Sequence, residues 1–205
     1  MPHQIAIPQI VDAAMKGIAT AQKDFENWSH GWWLGHAPEY LSTVYVAREL
    51  ARQNIINLEQ NAKRALKDAG AIARGPMHNH IRASGRFDIL LFWANETPRA
   101  PIEVKGWVKQ YQTIAADMRR MEAVIHRAKN KSTFQFALMV FFTSVSSDRT
   151  FTAKEKLTKW ISNIETAARN ALPARTTIKL HSRRISVEGD SAWTAVSILL
   201  KPKNG

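Results

Sequence analysis

Fourteen residues separate Asp88 from Glu103, and Lys105 follows two positions further on. Both carboxylates interrupt apolar, strand-like sequence: Gly85-Arg86-Phe87-Asp88-Ile89-Leu90-Leu91-Phe92-Trp93 and Pro101-Ile102-Glu103-Val104-Lys105-Gly106-Trp107. Side chains alternate along a strand, so Glu103 and Lys105 share one face while Ile102 and Val104 take the other. If the connector closes a hairpin, Asp88 comes opposite the Glu103–Lys105 region. Three charges on an apolar sheet are costly unless they are paired or hold a metal. Two hard oxygen donors suit Mg²⁺ or Mn²⁺. Such an ion lowers the pKa of a water and offsets charge in a pentavalent phosphorane, which makes phosphodiester hydrolysis the implied chemistry. Asp88 and Glu103 would hold the ion, and Lys105 would orient the attacking water or stabilise developing charge. The carboxylates favour protonated Lys105, while desolvation works against it. A surface hairpin with an Asp–Lys or Glu–Lys pair is the plainer alternative, but it explains poorly why charges break two such apolar runs.

The elements that must position these groups follow from periodicity. Ile10, Val11, Ala14, Met15, Ile18, Phe25 and Trp28 have amphipathic helical spacing over residues 8–28. Ser29 to Pro38, with the pair Trp32-Trp33, reads as a connector. A second helix starts near Pro38-Glu39, with Leu41, Val44, Ala47 and Leu50 or Ala51 as its apolar face. Asn54 to Glu59 either continues that helix or forms a short strand. Ala62 to Ala69 is helical and stops at Gly70, and Ala73 to Ser84 is an irregular loop. Two strands are expected over 86–93 and 101–107, because Pro101 is tolerated only at a strand start. Residues 108–130 read as a helix with Tyr111, Ile114, Ala115, Met118 and Ile125 inward and Lys109, Arg119, Arg120, Arg127 and Lys129 outward. Phe134 to Val145 has the continuous apolar character of a central strand buried on both faces. Thr152 and Glu155 have capping-box spacing at the start of a helix that Pro173 ends. Residues 178–187 and 192–201 read as a hairpin around Glu188-Gly189-Asp190-Ser191. The expected class is α/β: a central mixed sheet flanked by helices, with an N-terminal helical appendage over 1–36, a main domain over 37–205 and a C-terminal hairpin.

Asp88, then Glu103-Val104-Lys105 on an adjacent strand, then a helix and a buried strand, resembles the PD-(D/E)xK nuclease superfamily. The likeness covers roughly residues 38–145 and matches a core order of helix, three strands, helix, strand. Phe87 stands where the motif has its leading proline. The resemblance implies a restriction-endonuclease-like core, a Mg²⁺ (or Mn²⁺) cofactor and nucleic acid as substrate, with DNA favoured because most of the superfamily acts on it. It also implies a further glutamate ligand from the first core helix. Glu39 is the candidate, although a glutamate in a first helical turn also suits the helix dipole. Glu49 and Glu59 are the alternatives, Glu59 if residues 54–59 form a strand entering the site. Arg86, Lys109, Gln112, Arg119 and Arg120 are candidate nucleic-acid contacts. Gln110 and Gln112 are otherwise solvated helix residues.

The charge distribution points the same way. Residues 1–104 hold eleven Lys/Arg against ten Asp/Glu, and residues 105–205 hold eighteen against seven. Nearly all of the net +12 therefore follows the acidic site, and a polyanion is the partner such a surface fits. The absence of cysteine excludes disulfides, zinc–cysteine sites and thiol nucleophiles. No run is long and apolar enough to span a membrane, so a cytoplasmic protein without a membrane partner is expected. His78-Asn79-His80 spells HNH, but three adjacent residues cannot share a metal as that motif's dispersed ligands do; His80 or Arg82 could touch a phosphate. Asp117 reads as a helix-surface partner of Arg119 or Arg120, with a role in the site as the alternative, given the mixed charges near the motif. Trp93, Trp107 and Trp160 read as core or core rim, and Trp32-Trp33 as the pair facing a partner. Duplex cleavage commonly uses two active sites, which is compatible with a homodimer. The competing readings are a nucleic-acid-binding module that does not cut, and an interaction subunit whose first helix binds a protein.

Overall fold

A computed structural model describes residues 5–72, 79–128 and 131–203. In chain order the elements are α1 (Ile7–Trp28), α2 (Glu39–Ala51), β1 (Ile56–Asn61), α3 (Ala62–Asp68), β2 (Arg86–Phe92), β3 (Pro98–Trp107), α4 (Ala115–His126), β4 (Ala137–Ser146), α5 (Ala153–Ala171), β5 (Thr176–Ser182), β6 (Ser186–Glu188) and β7 (Ser191–Pro202). Among the described residues the fold is α/β, with one mixed seven-stranded sheet in the order β1-β2-β3-β4-β7-β5, β6 pairing beside β7. Only β3 and β4 run parallel, and α4 crosses between them.

Each face of the sheet is closed by helices. α1 and α2 cover one face, packing Ile10, Ile18, Val46 and Leu50 onto Ile89, Ile102, Val104 and Val140. α4 and α5 cover the other, setting Met118, Met121, Leu157 and Ile161 against Met139, Phe141 and Val196. β4 is buried from Ala137 to Val145 because both of its faces are covered. α3 closes a smaller cluster over Phe87 and Leu90. The capping box opens α5, where Thr152 Oγ1 accepts from the Glu155 N–H at 3.3 Å and Glu155 Oε2 accepts from the Thr152 N–H at 3.0 Å.

Several expectations are corrected. α2 buries Ser42, Thr43, Val46, Ala47 and Leu50, while Val44 is exposed and Leu41 only half-buried. The helix is covered by α1 on one side and by the sheet on another, so its buried surface is wider than one apolar stripe. Of the two readings of Asn54 to Glu59, the strand is the one found: β1 takes Ile56–Asn61. β3 begins at Pro98, so Pro101 lies inside the strand. It is tolerated there because the parallel ladder to β4 starts only at Ile102. The helix expected from 108 starts at Ala115, since Val108 still donates to Phe142 O at 3.0 Å as an extension of the sheet. The expected C-terminal hairpin is built into the sheet: β7 pairs with β4 along its length, and the 178–187 segment breaks into β5 and β6 on β7's other side. His78 and Lys129 lie outside the described residues.

α1 and α2 meet at Gly17, where an added Cβ would lie 2.5 Å from Val46 Cα and 2.8 Å from Val46 N. Alanine normally favours a helix interior by about 0.5–1 kcal/mol over glycine. Here overpacking against backbone wins, and Gly17→Ala should lower stability by roughly 1–3 kcal/mol, read as a lower urea midpoint with an unchanged m-value.

Candidate active site

The β2–β3 register sets the centre of the site. Ile89 pairs with Ile102 and Leu90 with Pro101, so the antiparallel ladder places Asp88 beside Glu103. Val104 donates its backbone N–H to Asp88 Oδ2 at 2.7 Å. The two carboxyl groups act on one another: beyond desolvation, the Asp88 charge raises the pKa of Glu103. Two carboxylates that share a site do not both ionise freely, so one of them is favoured in its protonated form. The alternation expected of β3 holds: Ile102 and Val104 belong to the α1–α2 core, and Glu103 and Lys105 face the α4 side.

α4 supplies two groups that complete the constellation. Arg120 is buried, donates to Glu103 Oε1 at 3.2 Å and to Arg86 O at 2.8 Å, and lies over the Phe87 ring at 4.5 Å. This corrects its expected outward position: Arg120 anchors a carboxylate and is not free to contact nucleic acid. Asp117 is also no mere helix-surface group, since its carboxylate is 3.3 Å from Lys105 Nζ and 3.6 Å from Arg82. Asp117 and Arg120 lie three apart, bordering the apolar stripe of Ile114, Met118, Met121 and Ile125. That shared flank was the available signal in the sequence, but which flank faces β3 is decided by packing.

Glu39 reaches the site from the start of α2. Its carboxylate is 3.4 Å from Lys105 Nζ and accepts the Gly106 N–H at 3.2 Å. Lys105 is thus held between Glu39 and Asp117, one from each side of the sheet. The two alternative glutamates are elsewhere. Glu49 is buried in ion pairs with Lys16 (3.1 Å) and Arg52 (3.3 Å). Glu59 stands in β1, but it is exposed with φ 52°, and its charge is not among those acting on Asp88 or Glu103.

The outer candidates are solvent-facing. Arg86 and Arg119 are exposed. Lys109 lies 3.7 Å over the Trp107 ring. Gln110 precedes the short 3₁₀ turn at 111–113 and Gln112 lies within it; with Lys109 they line a groove against Lys156 and Lys159 of α5. Trp93 and Trp160 are half-buried and Trp107 is partly exposed, as expected of a core rim. Trp32 is exposed, whereas Trp33 packs edge-on to Phe142.

Electrostatics distinguish the three central groups. Desolvation, then the Asp88 charge, push Glu103 up to about 9, outweighing the opposing pull of Arg120. Burial also raises Asp88, against the Val104 N–H and Lys105. Burial opposes the Lys105 charge, but Asp117, Glu39, Asp88 and Glu103 together raise its pKa above the ordinary lysine value. The centre is therefore a carboxyl pair that retains a proton beside an ammonium that does not lose one.

The donor set bears on metal binding. Among the described residues no group of three or more His, Cys, Asp or Glu is arranged to hold a metal ion. Asp88 and Glu103 offer two adjacent carboxyl groups, which fits Mg²⁺, an ion commonly held by one or two carboxylates with water and substrate phosphate completing its shell. Among the described residues no helix is long and apolar enough to cross a membrane. No family model matches the chain, and no curated protein or solved structure matches it either.

The folded chain holds the Glu103 proton up to about pH 9, against an ordinary value of 4.5. Across that window the folded state binds more protons than the unfolded one, so this group makes stability fall as pH rises. Metal-free protein should show a declining urea midpoint over this range. Glu103→Gln, a neutral mimic, should flatten the slope; an unchanged slope would remove Glu103 as its source.

Proposed function

We propose that the chain is a metal-dependent nuclease that hydrolyses phosphodiester bonds of nucleic acid, with DNA as the substrate. The observation that carries this reading is the convergence of Asp88, Glu103 and Lys105 on one sheet face, with Asp88 fixed by the Val104 N–H and Lys105 clamped between Asp117 and Glu39. The order helix α2, strands β1 to β3 with the short α3 inserted after β1, helix α4, strand β4 supports a restriction-endonuclease-like core.

Asp88 and Glu103 would hold the Mg²⁺ or Mn²⁺ ion. When bound, the ion supplies positive charge to the phosphoryl oxygens and lowers the pKa of water. Lys105 remains protonated, so it acts as a donor and a positive charge: it orients the water and stabilises the developing negative charge. A general-base role for Lys105 does not fit four carboxylates that favour its ammonium form. Asp117 and Glu39 are positioning residues for that ammonium, and Arg120 fixes the Glu103 side chain. Arg82, Arg119 and Lys109 lie on exposed surface around the site, where they suit contacts to the phosphate backbone.

One observation favours a second reading, a binding module that does not cut. Arg120 occupies a Glu103 oxygen and neutralises part of the charge that attracts a cation. Chelator-insensitive, salt-sensitive binding without cleavage would select that reading.

Supercoiled, linear and single-stranded DNA and RNA should be incubated with Mg²⁺, Mn²⁺ or EDTA. Cleavage of DNA that requires metal and is lost in Lys105→Ala, with DNA affinity retained, is the expected result; full cleavage by Lys105→Ala would overturn the assignment. Asp117→Asn should lower kcat by about 10–100-fold, the usual cost of losing a group that orients a functional side chain. KM should change little, because Asp117 is expected to position Lys105 and not to bind substrate.

A further inference from the structure

Among the described residues two arginines are almost fully buried, and one of the two has an anion. Arg120, 4% exposed, pairs with Glu103. Arg99, 3% exposed at the start of β3, has no carboxylate within ion-pair distance among the described residues. The remaining residues of the chain, 1–4, 73–78, 129–130 and 204–205, include no Asp or Glu. Arg99 donates Nε–H to Gln135 Oε1 at 3.0 Å, and its guanidinium lies over Trp93 (4.4 Å) and Phe136 (5.7 Å). The ring faces and one amide hold the group in place without supplying a counter-charge. Its other guanidinium N–H groups have no hydrogen-bond acceptor among the described residues.

Burying a cation without an anion is unfavourable by several kcal/mol in general, which proteins offset by pairing or by binding. Desolvation is felt by Arg99, whose pKa burial pushes below the ordinary arginine value; the side chain nevertheless stays charged. Arg99 lines a cavity of about 1340 Å³ between the end of β2 and the α2–β1 connection. Ile55, Phe92 and Trp93 supply apolar wall, Asn54 and Asn95 supply amides, and no acidic residue lines it. Arg52 also borders the cavity but is committed to Glu49 at 3.3 Å. Apolar walls with a few fixed polar groups are what small-molecule sites have.

We propose that this cavity binds a small organic anion, a phosphate or carboxylate head on an apolar body, with Arg99 as its counter-charge. A planar guanidinium fork matches either head with paired hydrogen bonds. The site is distinct from the candidate active site, since Arg99 opens β3 and Lys105 lies near its other end. The inference does not rest on the nuclease reading.

Calorimetric titration of the full chain with phenyl phosphate, benzoate and uncharged benzyl alcohol tests it. Saturable binding of one or both anions, with none of the alcohol, is expected, and the preferred anion identifies the head group. Arg99→Met should weaken that binding about tenfold or more, the worth of charge-assisted hydrogen bonds. Asn95→Asp, which puts a negative charge into the cavity lining and keeps the acceptor for the Thr97 N–H, should weaken anion binding as well, and it decides the matter if Arg99→Met fails to fold. No saturable binding of either anion, equal binding by the alcohol, or anion binding unchanged in Asn95→Asp would overturn the proposal. Binding abolished by Lys105→Ala would belong to the other site and would overturn it equally.

Discussion

The hydrogen bond from the Val104 backbone to Asp88 is the interaction on which the centre of this molecule depends. It locks a side chain of β2 to the backbone of β3 at the point where Glu103 and Lys105 leave the sheet. A one-residue slip in that register would turn Glu103 and Lys105 into the α1–α2 core and bring Ile102 and Val104 to the site. The hydrophobic pattern forbids the slip, because Ile102 and Val104 are fully buried on the opposite face. Core packing and site geometry are thus enforced by the same alternation.

Charge balance is the second constraint. Asp88, Glu103, Asp117 and Glu39 surround Lys105, and Arg120 and Arg82 neutralise two of them. The acidic excess is relieved by keeping a proton on the Asp88–Glu103 pair, which is the response burial commonly forces. Arg120 keeps Glu103 in place at 3.2 Å. Arg99 is the counterexample within the same sheet: a cation of similar burial with no carboxylate at ion-pair distance among the described residues.

How much of this was legible depended on the range of the contact. Asp88, Glu103 and Lys105 were readable because strand alternation and a short connector are local constraints, and Glu39 because Pro38 marks a helix start. Arg120 was misread as a surface group and Asp117 was left between surface and site, since the rotation of α4 about its axis is set by how Met118, Met121 and Ile125 seat on strands far away in sequence. The inward face of α2 was misread for a related reason: small residues at Gly17 and Ser42 let it pack closely on two sides, which a single apolar stripe does not encode. The C-terminal strands were recognised as strands, but insertion of β7 beside β4 is a long-range pairing with no local signature.

Mn²⁺ binding followed by electron paramagnetic resonance tests whether Asp88 and Glu103 form a divalent cation site. Saturable binding by the wild-type chain, lost or severely weakened in Asp88→Asn and in Glu103→Gln while both variants stay folded, is expected. Mn²⁺ bound with undiminished affinity by both variants, or no Mn²⁺ bound by the wild type with and without DNA, would contradict it.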